Sequence, residues 1–320
     1  MPFDVRRLDD TDAQDFAALA AAIEADHPTN LQLSAEEFIE IRELAGAVIE
    51  GAYDAGELVA WSGYLAQAPQ GDGRRIQVVG DSHPDHVGRG LGTLMGARAL
   101  AAARARHAID AAELPATYVT RMGAGRTDQA RLLASLGYRI ERYRFTMIAE
   151  LDGLEIPPVR HAGYGLVPFG PADSELLRVA HERAFDDYPV PSAMTSDVWD
   201  GFMIRARHTR HGLSSWLRNE SGDVAAYLFT HEYGAPLSGR NDGRETYVPY
   251  LGTLPAHRGR GLASALMSHT LLAARDQGVA RMSLEVDAHN PTGALGFYER
   301  AGFRTVACFD ECTITERPVA

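Results

Sequence analysis

A glycine-rich turn in the second half of the chain is the segment whose residue types point most directly to chemistry. It follows an apolar stretch typical of a strand, leads straight into a helical pattern, and consists of Arg258, Gly259, Arg260, Gly261, Leu262 and Ala263. Such a turn directs free backbone N–H groups and the positive end of a helix dipole at one point. A phosphate group binds well at such a point, so the spacing predicts a phosphate-binding turn.

A second copy of this turn lies in the first half of the chain. Its glycines and its leucine occupy the same relative positions, and it consists of Val87, Gly88, Arg89, Gly90, Leu91 and Gly92. We expect this copy either to bind a second phosphate-containing ligand or to have a structural role alone.

Length and composition limit the classes of protein to which the chain can belong. Its 320 residues are enough for two domains, since one domain takes about 150 residues. The net charge of −12 argues against binding to nucleic acid. The chain contains no lysine, which excludes a Schiff-base lysine and a P-loop lysine. No apolar run reaches the roughly 18–20 residues of a membrane span, and the acidic N-terminus does not look like a signal peptide. We therefore expect a cytoplasmic protein with no membrane partner.

The cysteines and histidines predict neither a disulfide nor a metal site. Cys308 and Cys312 lie four residues apart in an apparent strand, a separation of about 13 Å that is too long for a disulfide. His208 and His211 are spaced for one face of a helical turn, but no third ligand is evident beside them. We therefore expect no bound metal.

Other segments repeat in the same order in the two halves and predict two domains of one α/β fold. A tight turn feeding an apolar strand precedes each glycine-rich turn, and each half finishes with a helix that ends at a glycine, Gly137 or Gly302. Between the halves, two consecutive prolines interrupt the periodicity. We expect a first domain over residues 1–152, a linker over about 153–161 and a second domain over residues 162–320.

This order of elements resembles that of the GNAT acetyltransferase family, and the resemblance covers nearly the whole chain twice. The turn at residues 258–263 matches in full the acetyl-CoA motif of that family, Gln/Arg-x-x-Gly-x-Gly/Ala. Asn290, Tyr298 and Gly302 follow it at the spacing of the family. The resemblance implies tandem α/β (α+β) domains, each with a mixed, mostly antiparallel sheet whose central strands splay apart between flanking helices.

The resemblance also implies how acetyl-CoA, the co-substrate of the family, is held. The backbone of Leu251, Gly252 and Thr253 is expected to pair with the pantetheine arm in the gap between the splayed strands. The N–H groups of residues 258–263 are expected to bind the pyrophosphate, and glycine is needed there because a side chain would block its close approach. Asn290 matches a position that holds the cofactor arm or the end of the fifth strand. Arg260 is expected either to reach the phosphates or the adenine, or to face solvent.

The chemistry implied by the resemblance is N-acetylation of a primary amine on a small molecule, by direct attack of the amine on the thioester. Tyr298 matches the position of the general acid that protonates the departing thiolate. Two carboxylates are alternative bases: Glu245 on the candidate fourth strand and Glu285 on the fifth. In the region that shapes the acceptor pocket, Asp186, Asp187 and Tyr188 are expected to hold a cationic amine.

The first copy departs from the family pattern where catalysis is implied. Val87 stands where the motif has Gln or Arg, Leu133 matches Tyr298, Gly125 matches Asn290 and Arg74 matches Glu245. We therefore expect the N-terminal domain to be catalytically degenerate and the C-terminal domain to be the catalytic one. The turn at residues 87–92 is expected either to bind a second CoA or to have a structural role alone.

Two alternatives to a general small-molecule acetyltransferase stay open at this stage. The tandem arrangement is more distantly similar to that of mycothiol synthases, which implies a cysteinyl amine as the acceptor. A non-catalytic acetyl-CoA-binding sensor or interaction protein is an alternative of another class. The chain is expected to be a monomer or a homodimer.

Overall fold

The computed structural model describes residues 3–27, 29, 34–44, 46–66, 69, 73–159, 161–188, 194–234, 236, 238–240, 242–288 and 293–318. The chain folds into two compact units. The first unit contains residues 1–144 and 307–320, and the second contains residues 145–306. The units are therefore not two consecutive stretches of chain, because the C-terminal segment belongs to the first.

The elements of the first half are, in chain order, β1 (Asp4–Arg7), α1 (Ala13–Asp26), α2 (Ala35–Glu43), β2 (Ala47–Asp54), β3 (Glu57–Ala66), β4 (Arg74–Ser82), α3 (Leu91–Asp110), β5 (Ala116–Gly123), α4 (Thr127–Ser135) and β6 (Arg139–Glu150). Those of the second half are β7 (Gly165–Pro168), α5 (Ser174–Ala184), α6 (Ser196–Trp199), β8 (Ser215–Arg218), β9 (Val224–Leu228), β10 (Glu245–Val248), β11 (Leu251–Thr253), α7 (Leu262–Asp276), β12 (Arg281–Asp287), α8 (Ala294–Arg300) and β13 (Arg304–Glu316).

The sheet of the first unit is mostly antiparallel, with one parallel pair at its centre. Strands β1 to β4 form antiparallel neighbours in chain order. Strand β4 runs parallel to β5, but only from Arg74 to Gln77. The other edge of β5 pairs with the C-terminal strand β13, from Phe309 to Glu316. Beyond Gln77, β4 stays paired with β3 as far as Ser82, so a gap opens between β4 and β5.

The second unit repeats this arrangement. Strand β10 pairs in parallel with β12 from Glu245 to Val248. The strand that follows, β11, pairs instead with β9 in a sheet that also contains β8 and β7. A gap therefore opens between β11 and the end of β12, just after Val248 and Leu284. This confirms the expected mixed α/β fold with splayed central strands.

Alternation along β12 decides which side chains line this gap. Met282, Leu284 and Val286 are buried in the core that packs against α7. Because successive side chains of a strand point to opposite faces, Glu285 and Asp287 lie on the face away from α7. The apolar face of the strand thus fixes the direction of its two carboxylates.

A bulge before β11 gives the second unit one residue that the first unit lacks. In the first unit, β3 and β4 pair without interruption from Ala60 opposite Ser82 to Ala66 opposite Ile76. In the second unit, Leu228 lies opposite Leu251, whereas His231 lies opposite Tyr247. Leu228 and His231 are three residues apart, whereas their partners Leu251 and Tyr247 are four apart. The extra residue on the second strand is a β-bulge.

The bulge changes which residues of the two units correspond. The counterpart of Glu245 is Arg75, and the pairing of Glu245 with Arg74 made from the sequence is wrong by one residue. By the same parallel register, Arg121 corresponds to Glu285 and Gly123 corresponds to Asp287. The matching faces agree with this register, since Ile76 and Val78, like Val248, are buried against the long helix of their unit.

Candidate active site in the second unit

The turn predicted to bind phosphate leads directly into α7, and the N–H of Arg258, its first residue, already donates to the carbonyl oxygen of Pro255 at 3.3 Å. Gly261 precedes the helix with φ of 72°, a left-handed conformation, and Gly259 has φ of 71°. An L-residue with a side chain is strained in that conformation. The first turn of α7 carries no acidic residue and no capping side chain. Its N–H groups and the helix dipole therefore remain available to an anion.

Side chains of the turn fold back onto the protein. His161 Nε2 lies 2.9 Å from the carbonyl oxygen of Gly261. Arg260 donates to the hydroxyl of Tyr164 at 3.1 Å and to the carbonyl oxygen of Ala256 at 3.3 Å. Tyr164 in turn lies 3.1 Å from His257 Nδ1. These hydrogen bonds hold the turn against the rest of the second unit, and the side chain of Arg260 lies on the exposed side of the turn.

One edge of β11 is hydrogen-bonded to β9. Its other edge is the one that faces the gap. Gly252 is required here by close packing: a Cβ atom would come within 2.5 Å of the ring of Tyr227. Tyr227 is fully buried, and its hydroxyl lies 2.7 Å from Nδ1 of the equally buried His181. The backbone of Leu251, Gly252 and Thr253 thus rests on a hydrogen-bonded aromatic layer.

Tyr298 lies on α8 and packs against the core beside α7, in ring contact with Phe297 and Phe303. Burial raises the pKa of Tyr298 to about 12, and the nearby Tyr188 adds to the increase. The phenol therefore keeps its proton at neutral pH. A protonated hydroxyl at this place can act as a general acid.

The two carboxylates predicted as bases occupy different surroundings. Glu245 is buried, and its Oε1 accepts hydrogen bonds from Ser283 Oγ at 2.7 Å and from the N–H of Ser238 at 3.3 Å. It lies about 20 Å along the strand from Leu251 at the usual rise per residue. Glu285 follows the last parallel pair, Leu284 with Val248, and is only partly buried at the edge of the gap.

Asp287 is a carboxylate of the gap that the sequence reasoning missed. It lies two residues beyond Glu285 on the same face of β12, and only 3% of its surface is exposed. The hydroxyl of Tyr188 donates a hydrogen bond to its Oδ2 at 3.1 Å. The period-two alternation from Glu285 was the signal that could have identified it.

Comparisons with known proteins agree with this geometry. Residues 176–303 match the family described as Acetyltransferase (GNAT) family. The chain is 28% identical over 254 residues to a mycothiol acetyltransferase of Streptomyces coelicolor, covering 79% of this chain and 74% of that protein. A GCN5-related N-acetyltransferase of Sphaerobacter thermophilus superimposes with a TM-score of 0.77 and 26% identity, over 99% of this chain and 97% of that one.

The second unit therefore contains a domain of the GNAT acetyltransferase family, over residues 176–303. The tandem form of the chain's fold is shared with a tandem GNAT protein from the clavulanic acid biosynthesis pathway. That structure superimposes with a TM-score of 0.73 at 16% identity and covers the whole of both chains. GNAT acetyltransferases use acetyl-CoA as co-substrate.

The three residues predicted to hold an amine lie in the segment after α5, residues 185–188, which we call the acceptor loop after that predicted role. Their surroundings differ. Asp186 is exposed. Asp187 forms an ion pair with Arg258 at 2.5 Å, and this guanidinium lowers the pKa of its carboxyl. Tyr188 is half-buried and bonded to Asp287. Asn290 lies outside the described residues.

The first unit keeps the turn but not the groups around the gap. Gly88 and Gly90 have φ of 80° and 81°, and Leu91 begins α3 as a buried residue, as in the second unit. Val87 is 56% exposed. Arg89 forms an ion pair with Asp54 at 2.7 Å. Gly92 lies against Leu132, where a Cβ would come within 2.6 Å.

The gap of the first unit contains a pocket of about 260 Å³. Its lining includes His27, Trp61, Asp81, Arg121 and Gln129. Leu133, the counterpart of Tyr298, packs into the core of this unit and has no proton to give.

Among the described residues, no group of three or more His, Cys, Asp or Glu side chains is arranged to hold a metal ion. In the same part of the chain, no helix is both long enough and apolar enough to span a membrane.

Proposed function

We propose that the second unit transfers the acetyl group of acetyl-CoA to the primary amine of a small molecule. Three features of the second unit support this proposal: the free edge of β11, the uncapped N-terminus of α7 and a tyrosine, Tyr298, that keeps its proton and interacts with Tyr188. The first unit has the turn and the gap but lacks the tyrosine, so we assign catalysis to the second unit alone.

The residues around the gap suit acetyl-CoA. Leu251, Gly252 and Thr253 present an edge that can pair with the amides of the pantetheine arm. The N–H groups of the turn at residues 258–263 can bind the pyrophosphate, since the first turn of α7 contains no carboxylate that would repel it. The thioester supplies an activated acyl group, and Asn290 is proposed from the resemblance to hold the arm.

In the proposed reaction, Glu285 accepts, directly or through water, the proton that the amine loses as its nitrogen bonds to the acetyl carbon. Tyr298 donates its proton to the sulfur as the C–S bond breaks, and it recovers a proton from solvent. We prefer Glu285 to Glu245 because it stands at the gap, whereas Glu245 is bonded to Ser283 far along the strand. Acid and base contributions of this kind are worth about 10²–10⁴-fold each.

The acceptor is proposed to be a cationic amine. Glu285 and Asp287 place two carboxylates on the face of β12 where it would enter, next to the ring of Tyr188. A cysteinyl amine is a second candidate, supported by the mycothiol acetyltransferase of Streptomyces coelicolor, to which the chain is 28% identical.

Release of free thiol from acetyl-CoA tests the proposal with a panel of small amines that includes diamines, amino sugars and cysteinyl amides. Turnover of at least one amine, with an acetylated product of the expected mass, is the expected result. If none is acetylated while acetyl-CoA binds, the chain is instead a non-catalytic acetyl-CoA-binding protein.

A further inference from the structure

The side chain of Arg258, the first residue of the turn, points away from the phosphate-binding groups. It donates through Nη1 and Nη2 to both oxygens of Asp187, the second at 2.9 Å. Nη2 also donates to the carbonyl oxygen of Ala184 at 2.9 Å, and Nε donates to that of Thr253 at 3.2 Å. Four of its five N–H groups are thus committed to protein acceptors.

These acceptors belong to three different parts of the second unit. Ala184 is the last residue of α5, where a cation also interacts favourably with the helix dipole. Asp187 lies in the acceptor loop, and Thr253 ends β11, the strand proposed to pair with the cofactor arm. Arg258 therefore links the cofactor side of the gap to the acceptor side.

The loop that Arg258 holds carries Tyr188 into the site. The N–H of Tyr188 bonds to the carbonyl oxygen of Phe185 at 2.9 Å, which closes a tight turn around Asp187. From this turn the hydroxyl of Tyr188 reaches Asp287, and Tyr188 is close enough to Tyr298 to contribute to its raised pKa. Displacement of Asp187 would move Tyr188 relative to both groups.

We infer that Arg258 is a positioning residue whose side chain latches the acceptor loop through Asp187, so that Tyr188 and Asp287 together receive the acceptor amine beside Tyr298. This inference rests on the proposed acetyltransferase function. It assigns to the first position of the turn a role in acceptor binding through its side chain, while its own N–H donates to the carbonyl oxygen of Pro255 at 3.3 Å and the N–H groups that follow it serve the cofactor. Because Val87 occupies that position in the first unit, no such latch can form there.

The matched variants are Arg258→Ala, Asp187→Asn and the double variant. Arg244 provides the control, because it makes the same kind of bidentate pair with Glu232, at 2.8 Å for both bonds, and also donates to a carbonyl oxygen. Arg244→Ala and Glu232→Gln remove an equivalent pair from the same unit at a place remote from the gap.

We expect both latch variants to raise the KM for the acceptor amine about tenfold and to leave the Kd for acetyl-CoA within about twofold, since a small misplacement of a binding group is costly. The double variant should be no worse than Arg258→Ala, because both substitutions break one link. Arg258→Gln, which can still donate to Asp187 or Ala184, should restore part of the affinity. The control variants should match the wild type.

Additive effects in the double variant, or a weaker Kd for acetyl-CoA with an unchanged acceptor KM, would overturn the latch. The second result would assign the Arg258 side chain to the phosphates.

Hydrogen exchange separates a failure of the latch from a failure of the proposed function, because it needs no turnover. In Arg258→Ala the amide of Tyr188 should exchange at least about tenfold faster than in the wild type, and Arg244→Ala should leave it unchanged. Unchanged exchange in Arg258→Ala would refute the latch even if an amine is acetylated. Faster exchange without acetylation of any amine would keep the latch and refute the enzyme.

Discussion

The two units share a glycine-rich turn and a gap between splayed strands, but the strand on one side of the gap carries acidic side chains in one unit and none in the other. In the second unit β12 brings the carboxylates of Glu285 and Asp287 to the gap, and in the first unit the corresponding positions of β5 hold Arg121 and Gly123. The hydroxyl of Tyr298 is replaced by the aliphatic side chain of Leu133. Both units thus have the backbone conformation of the turn and the gap, whereas only the second has the carboxylates and the tyrosine proposed to act there.

A second contrast concerns how each unit holds the segment after its first helix. In the second unit Arg258 secures the acceptor loop through Asp187. In the first unit His27 bonds to Asp81 on β4 at 2.9 Å, and Asp81 stands opposite Trp61 where the second unit has Gly252 opposite Tyr227. At the strand edge proposed to pair with the cofactor arm, the second unit therefore has a glycine. The first unit has the carboxylate of Asp81 at the corresponding position.

Replacing the glycine before the helix by alanine in each turn should give the largest difference in kinetic effect between the two units. Gly261→Ala places a Cβ at a left-handed residue at the N-terminus of α7, so we expect the KM for acetyl-CoA to rise about 100-fold. Gly90→Ala introduces the same backbone strain in the first unit and should leave the kinetic constants within about twofold. Steady-state kinetics with varied acetyl-CoA measures both. Equal losses in the two variants would show that both turns serve catalysis.

Replacement of the charged residue beside each gap by glutamine should have a smaller effect on the kinetic constants. Glu285→Gln removes the proposed base and should lower kcat/KM for the amine about 30-fold at pH 7 without weakening acetyl-CoA binding. Arg121→Gln, the matched change in the first unit, should alter kcat/KM by less than about twofold. A loss confined to Glu245→Gln would instead make Glu245 the base.

The smallest effect should be a pH dependence of stability that belongs to the first unit. The hydrogen bond to Asp81 raises the pKa of His27 above its ordinary value. Since the folded pKa is the higher one, the pair stabilises fully below about pH 6.5 and loses its contribution as the pH rises through the folded value. Asp81→Asn should therefore lower Tm by a few degrees at pH 5.5 and by less at pH 8.5.

Thermal unfolding monitored by circular dichroism at the two pH values measures this difference. The acetyl transfer rate of Asp81→Asn at 25 °C should equal that of the wild type. A Tm loss of the same size at both pH values would remove the charged histidine from the explanation.

The sequence predicted what depends on local pattern. Glycines followed by a helix specify the turn, and the repeat of the whole pattern specifies two related folds, because the backbone conformation at Gly90 and Gly261 requires no distant partner. The splayed strands were expected from the family resemblance, and the pairing of β10 with β12 and of β11 with β9 confirms them.

The sequence could not predict features that depend on register and on distant partners. A single bulged residue before β11 shifts the correspondence of the units and replaces Arg74 by Arg75 as the counterpart of Glu245. The ion pair of Arg258 with Asp187 joins segments 71 residues apart. Alternation from Glu285 could have placed Asp287 on the same face of β12, but its hydrogen bond to Tyr188 joins segments 99 residues apart. Asn290, the proposed base and the proposed acceptor stay predictions.

In the proposed reaction, acetyl transfer depends on Tyr298 of the second unit and not on Leu133, its counterpart in the first. The most direct test measures kcat by thiol release, and the Kd for acetyl-CoA by calorimetry, in Tyr298→Phe and in the volume-conserving control Leu133→Met. We expect Tyr298→Phe to lower kcat at least about 100-fold with a Kd within about twofold, and Leu133→Met to keep the wild-type kcat. An unchanged kcat in Tyr298→Phe, or an equal loss in both variants, would contradict this dependence on Tyr298.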